Sequence, residues 1–179
     1  MSRVVRRVEG VTFHDLYETY PDFDVDVKRE QALLESHDLY VLQHPMYWYS
    51  VPPLVKQWLD LVLEHGWAYG KNGTALRGKR MFHALSTGGS EGTYCATGQN
   101  CNTIRQFFLP LEQTARLCGI DWLPPFVVHG THALGPEEIA SRAEEYARVV
   151  EAFRDGRLDL DAVRLLGRIN DLFDAARAP

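Results

Sequence analysis

Cysteine is scarce in this chain of 179 residues, with Cys95, Cys101 and Cys118 the three present. An odd number without C-x-x-C spacing excludes a disulfide framework and the common zinc ribbons, and it fits a reducing cytosol. Long apolar runs are missing as well. No stretch approaches the roughly 18 consecutive apolar residues of a membrane span, and no apolar segment follows the basic residues Arg3, Arg6 and Arg7, so no secretory signal is read. Basic clusters are also absent. Nineteen Lys and Arg stand against twenty-four Asp and Glu, a net charge of −5, and no run is long enough to track a phosphate backbone, which excludes nucleic acid as a partner. What remains, 45% hydrophobic and 24% charged, is the profile of one globular domain that needs no covalent staple. The chain reads as cytoplasmic.

Runs of β-formers occur at 11–13, 39–43, 81–87 and 126–129, each followed by polar or Gly/Pro punctuation. Helical patterns fill the gaps. Residues 28–35 carry Ala32, Leu33 and Leu34 among charges, and 53–64 place Leu54, Val55, Trp58, Leu59 and Val62 on one face. A third helix is expected over 103–118, kinked at Pro110 and capped by Gly119, and a fourth begins after Gly135-Pro136-Glu137-Glu138. Residues 157–176 read as a final amphipathic helix. This alternation predicts an α/β fold, an open and mostly parallel sheet with helices on both faces. Ligands of such sheets bind beyond the carboxyl ends of the strands, which directs attention to two segments.

The first, after the second β-run, packs Met46, Tyr47, Trp48 and Tyr49 between prolines where a loop is normally polar. Those rings would wall a flat ligand, although covering the end of the core is the ordinary explanation of an isolated aromatic cluster. The second, after the third run, is Ser86, Thr87, Gly88 and Gly89, whose small residues let backbone N–H groups approach a ligand. A tight turn is its bland explanation. Together they describe a cleft with a flat apolar wall and a floor of backbone donors, suited to a planar heteroaromatic cofactor.

Residues 43–60, then His65-Gly-Trp-Ala-Tyr-Gly and Ser86-Thr-Gly-Gly, resemble the flavodoxin-like NAD(P)H:quinone oxidoreductases. Within them the likeness is to KefF-type ancillary proteins of glutathione-regulated potassium-efflux systems, supported by residues 16–23 and 121–126. The resemblance covers about 8–153 and implies a flavodoxin-like domain over 1–156, with 157–179 an added C-terminal helix and tail. It implies FMN, rather than FAD, with Met46, Tyr47, Trp48 and Tyr49 along the ring and Ser86, Thr87, Gly88 and Gly89 at its pyrimidine edge. Backbone donors there would stabilise the negative charge of a reduced flavin. NAD(P)H would be the co-substrate and a quinone the acceptor. Tyr94 matches a catalytic tyrosine of related reductases, whereas the histidine they carry six residues later is Asn100 here. Trp67 and Tyr69 would flank the substrate, buried packing being their other reading. A homodimer is implied, and so is a second role, docking on the cytosolic face of a potassium/proton antiporter.

The likeness departs at the start, where the first strand and the flavin-phosphate loop of such proteins have no counterpart. The expected fold therefore lacks its first strand, Met1 is expected to be an internal or mistaken start, and a native start at Met1 would weaken FMN binding. Two further patterns carry less. The aspartates Asp22, Asp24 and Asp26 fail as a calcium loop, because Val27 and Leu33 stand where glycine and a carboxylate are required. His129 and His132 end the last β-run and could form half a metal site; with no nearby carboxylates or further histidines they read as loop residues, His129 at a strand end that would border the cleft.

Overall fold

Residues 80–86 interleave apolar side chains so densely that a strand made of them must be covered on both faces. In the computed structural model, which describes residues 1–174, they form β2 (Arg80–Ser86), with Met81 through Leu85 all buried. β1 (Leu39–Pro45) pairs with it in parallel along its full length, Leu39 opposite Arg80 and Pro45 opposite Ser86. The crossover is α4 (Pro53–Val62), which buries Leu54, Val55, Trp58, Leu59 and Val62, with Pro53 in the first turn where its missing N–H costs nothing.

On the other edge of β2 lie two short strands. β3 (Asp121–Trp122) pairs with Arg80 and Met81, and β4 (Phe126–Val128) with Ala84 to Ser86, both in parallel. They are one strand interrupted by Pro124 and Pro125, which have no N–H to give a ladder.

Side chains of β2 alternate between two layers. Met81 joins Trp58, Leu59, Val62, Ala115 and Ile120, the side of α4, α3 (Val27–Glu35) and α6 (Leu109–Leu117). Phe82 joins Val5, Phe126, Tyr146, Val149 and Val150, the side of α1 (Ser2–Val5) and α7 (Pro136–Arg154). Phe82 and Phe126 are fully buried, each contributing about 1.5–3 kcal/mol of apolar transfer.

Three expectations are corrected. Residues 11–13 form no strand; Val11 and Phe13 instead lay their side chains against the Phe82 cluster. Arg80 donates to the Asp38 carbonyl and Met46 to that of Ser86, so the even-numbered residues face β2 and Leu39, Val41 and Gln43 turn their N–H and C=O outward, where no strand among the described residues meets them. The helix over 103–118 is two helices, α5 (Ile104–Phe107), capped by Thr103, and α6, because Pro110 starts a new first turn rather than kinking a continuous one. The helix over 157–176 is likewise broken into α8 (Leu160–Arg164) and α9 (Asp171–Asp174), and its last two positions lie outside the described residues. Between them the Ile169 N–H donates to the Pro125 carbonyl (2.9 Å), and the Asn170 amide oxygen accepts from the Val127 N–H (2.8 Å). A continuous helix would leave that strand-edge donor of β4 unpaired. α2 (Leu16–Thr19) completes the elements, with Asp15 as its N-cap. Among the described residues no helix is long and apolar enough to cross a membrane.

Candidate functional site

Because β1 and β2 run in parallel and in register, the loops that follow them leave the sheet side by side, tied by the Met46 N–H donating to the Ser86 carbonyl (2.8 Å). In the first loop Tyr47 and Ser50 exchange both backbone hydrogen bonds (3.1 and 2.9 Å), which leaves Trp48 and Tyr49 as the two central residues of a tight turn. Both have positive φ, 47° and 63°. That is the turn normally made by Asn-Gly, and a bulky residue in this region costs about 1–3 kcal/mol. The strain presents rings to solvent: Trp48 is 94% exposed, and Tyr47 and Tyr49 are about half exposed. Met46 is turned inward, against Val51, Leu85 and Phe108.

The second loop holds Thr87 buried and Gly88, Gly89 and Ser90 at the surface or partly so. Among the described residues the N–H groups of Gly88, Gly89 and Ser90 donate to no protein acceptor. They form a row of free donors beside the exposed rings, which an acceptor-rich planar ligand would satisfy. A Cβ at Gly88 would lie 2.8 Å from Nε2 of the exposed His132, and one at Gly89 would lie 3.2 Å from the Tyr94 ring, so a side chain at either position would displace a neighbouring ring.

Phe107 joins the two loops. Its ring stacks on Tyr49 (centroids 4.9 Å apart) and meets Tyr94 edge-on (6.4 Å), and Tyr94 in turn lies against His129 (5.5 Å). The row Tyr49, Phe107, Tyr94, His129 thus spans the strand ends. Tyr49 Oη donates to the Asn100 amide oxygen (3.4 Å). Behind the row, His44 Nδ1 donates to the Pro45 carbonyl (2.9 Å), so its Nε2 must accept from His83 Nδ1 (2.7 Å). Burial lowers the pKa of both imidazoles, and His83 Nε2 is buried with no hydrogen-bond partner among the described residues. Sequence reasoning passed over Phe107 and His83, whose types and spacing are those of ordinary core residues.

Met46, Tyr47, Trp48, Tyr49, Ser86, Thr87, Gly88, Gly89 and Tyr94 are therefore brought together. Trp67 and Tyr69 are not. Trp67 Nε1 donates to Glu35 (2.8 Å) at the end of α3 that leads into the start of β1, and both rings pack on the cluster of Trp58 and Leu59. They lie away from the strand ends of their own chain. Among the described residues no group of three or more His, Cys, Asp or Glu is arranged to hold a metal ion.

The exposed planar wall and the free donors fit a flavin ring. A sequence profile of the flavodoxin-like fold family matches residues 4–153. The chain is 49% identical over 140 residues to the glutathione-regulated potassium-efflux system ancillary protein KefF of Klebsiella aerogenes, covering 78% of this chain and 77% of that one. Among solved structures it resembles a general stress protein 14 from Treponema denticola in complex with FMN, at 40% identity and TM-score 0.75 over 87% of both chains. An NADPH-quinone reductase from P. pentosaceus gives 31% identity and TM-score 0.75 over 83% of this chain and 84% of that one. A chain described as a thermophilic tryptophan halogenase from Streptomycin violaceusniger gives 46% identity and TM-score 0.79 over 81% and 84%. These proteins carry different names and share one fold. The chain belongs to the flavodoxin-like fold family, with KefF-type ancillary proteins and NAD(P)H:quinone reductases among its relatives.

Proposed function

We propose that this protein is an FMN-dependent NAD(P)H:quinone oxidoreductase that works in the cytoplasm. One observation carries the reading: solvent-exposed aromatic rings on a strained turn stand beside a row of backbone donors with no acceptor among the described residues, at the carboxyl ends of adjacent parallel strands. A bound flavin would supply hydride chemistry, taking two electrons from a nicotinamide and giving them to a quinone. The chain's own residues do the rest. Tyr47, Trp48 and Tyr49 shield one side of the ring from water, with Met46 supporting them. The free N–H groups beyond Ser86 and Thr87, at Gly88 and Gly89, meet its electron-rich edge, and Tyr94 faces the reacting side, where its hydroxyl orients the acceptor.

The name of the FMN-bound structural relative supports the cofactor, and that of the quinone reductase supports the acceptor. The test is direct. Protein purified with added FMN is expected to retain the visible flavin bands after gel filtration and to oxidise NADH or NADPH in the presence of a quinone. Colourless protein that takes up no FMN would defeat this reading.

A second reading rests on the 49% identity to KefF. It makes the chain a homodimeric regulatory subunit that docks on the cytosolic face of a glutathione-gated potassium/proton antiporter and activates it, with flavin chemistry secondary or lost. Co-purification with the antiporter, and potassium efflux that depends on this chain, are its expected signs.

A further inference from the structure

Resting on the oxidoreductase reading, we propose that His129 is a catalytic residue, the acid that delivers a proton from Nε2 to the oxygen of the quinone being reduced. The Thr87 hydroxyl donates its single proton to the Gly89 carbonyl (2.8 Å), which can only accept. Its oxygen, 3.0 Å from His129 Nδ1, must therefore accept, and Nδ1 carries a proton. Nε2 is then the labile position, and it has no protein partner among the described residues.

The ring is also held in place. The Thr87 N–H donates to Val128, Gly130 to Gly89 and Thr131 to Thr87, so segment 128–131 is tied to the glycine turn residue by residue. Tyr94 lies against the imidazole at 5.5 Å between centroids, with the rings inclined at 32°. His129 thus closes the aromatic row beside the free donors of Gly88 and Gly89.

The chemistry requires such a group. A quinone leaving as a hydroquinone gains two electrons and two protons, and a nicotinamide hydride supplies both electrons and one proton. The remaining proton must come from a side chain or from water. Asn100, which stands where the resemblance places a histidine, has an amide that does not titrate at neutral pH. In the proposed step the His129 Nε2–H bond breaks and the quinone O–H bond forms. The neutral Nδ1–H imidazole that remains is the form held by Thr87, and solvent restores the Nε2 proton. The charged groups acting on the ring are Glu91, which favours the protonated form, and Arg168 and Arg142, which oppose it; His132 lies on the same segment. Burial, the largest influence, moves the pKa below its ordinary 6.5, toward a stronger acid.

Two measurements test this. In flavin-free protein, long-range proton–nitrogen NMR is expected to show His129 as the Nδ1–H tautomer at pH 8, and the Thr87→Val variant is expected to lose that preference. An Nε2–H tautomer in the parent protein would overturn the proposal. In FMN-loaded protein, His129→Asn can still donate to Thr87 but has no titrating group. Oxidation of the pre-reduced variant by p-benzoquinone is expected to slow by about 100-fold, within the usual range for general acid catalysis. The parent rate should climb as pH falls toward the His129 pKa, and that climb should vanish in the variant, while FMN affinity and reduction by the nicotinamide stay within about twofold. A variant that keeps the parent rate and pH profile overturns this inference alone. Protein that takes up no FMN overturns the oxidoreductase reading and this inference with it.

Discussion

The loops that follow β1 and β2 leave adjacent strands at the same level of the sheet, yet they use opposite means to form one site. The loop after β1 puts large rings where glycine or asparagine belongs, holding Trp48 and Tyr49 at positive φ and exposing them. The loop after β2 puts glycine where any Cβ would crowd His132 or Tyr94, and its backbone donors meet no acceptor among the described residues. One loop stores backbone strain to present apolar surface, and the other omits side chains to present polar backbone. Under the oxidoreductase reading proposed above, a planar cofactor would use both.

The largest expected effect comes from filling the glycine turn. In Gly88→Val the added side chain stands next to the free donors, and the exposed His132 side chain, 2.8 Å from the new Cβ, must give way. FMN affinity is expected to fall about 10–100-fold, the equivalent of the roughly 1–3 kcal/mol that overpacking costs. The urea midpoint should hardly move. Flavin titration and unfolding curves measure the two separately, and unchanged FMN affinity would remove the glycine turn from the site.

The opposite manipulation sharpens the contrast from the other loop. Replacing Trp48 with Asn and Tyr49 with Gly relieves two strained residues and is expected to stabilise the fold by about 1–3 kcal/mol. FMN affinity should drop by about tenfold as the wall is lost. Greater stability without loss of affinity would mean that the exposed rings serve something other than the flavin.

The smallest effect concerns Phe107, which bridges the two loops from the end of α5. The corner between α5 and α6 is braced by the nearly buried Glu112, which accepts from Arg105 (3.0 and 3.2 Å) and Arg116 (2.6 Å). The Arg105 hydrogen bonds hold the Glu112 carboxyl below its ordinary pKa of 4.5. Its stabilisation is therefore complete above about pH 4.5 and is lost as pH falls through the lower folded-state value. Glu112→Gln should be less stable at pH 7 by about 1 kcal/mol, the arginines being largely solvated. The gap should close in acid. A gap that stays constant from pH 7 to pH 3 would show that the brace acts through packing rather than charge.

Much of the site was legible because its parts are local. A β-run ending in Thr87-Gly88-Gly89, and another ending in a run of aromatics between prolines, each announce a strand and an unusual loop within about ten residues. What could not be read depended on distant partners. Residues 11–13 have the composition of a strand, but strand formation needs a paired neighbour, and among the described residues none pairs with them; Val11 and Phe13 pack on the Phe82 cluster instead. Pro124 and Pro125 visibly interrupt a β-run, yet only pairing with β2 makes β3 and β4 one broken strand. The apolar spacing after residue 156 suits a helix, and it yields at Ile169 and Asn170 because the edge of β4 requires their hydrogen bonds.

The sequence by itself determined the class of fold, the places of β1 and β2, and the two loops that meet at their ends, since these follow from short-range periodicity and turn chemistry. Only the tertiary structure separated Trp67 and Tyr69 from those loops, placed Phe107 between them, and set His129 against Tyr94 with its tautomer held by Thr87. Each of those depends on which distant segments share a surface, and short-range pattern carries no information about that.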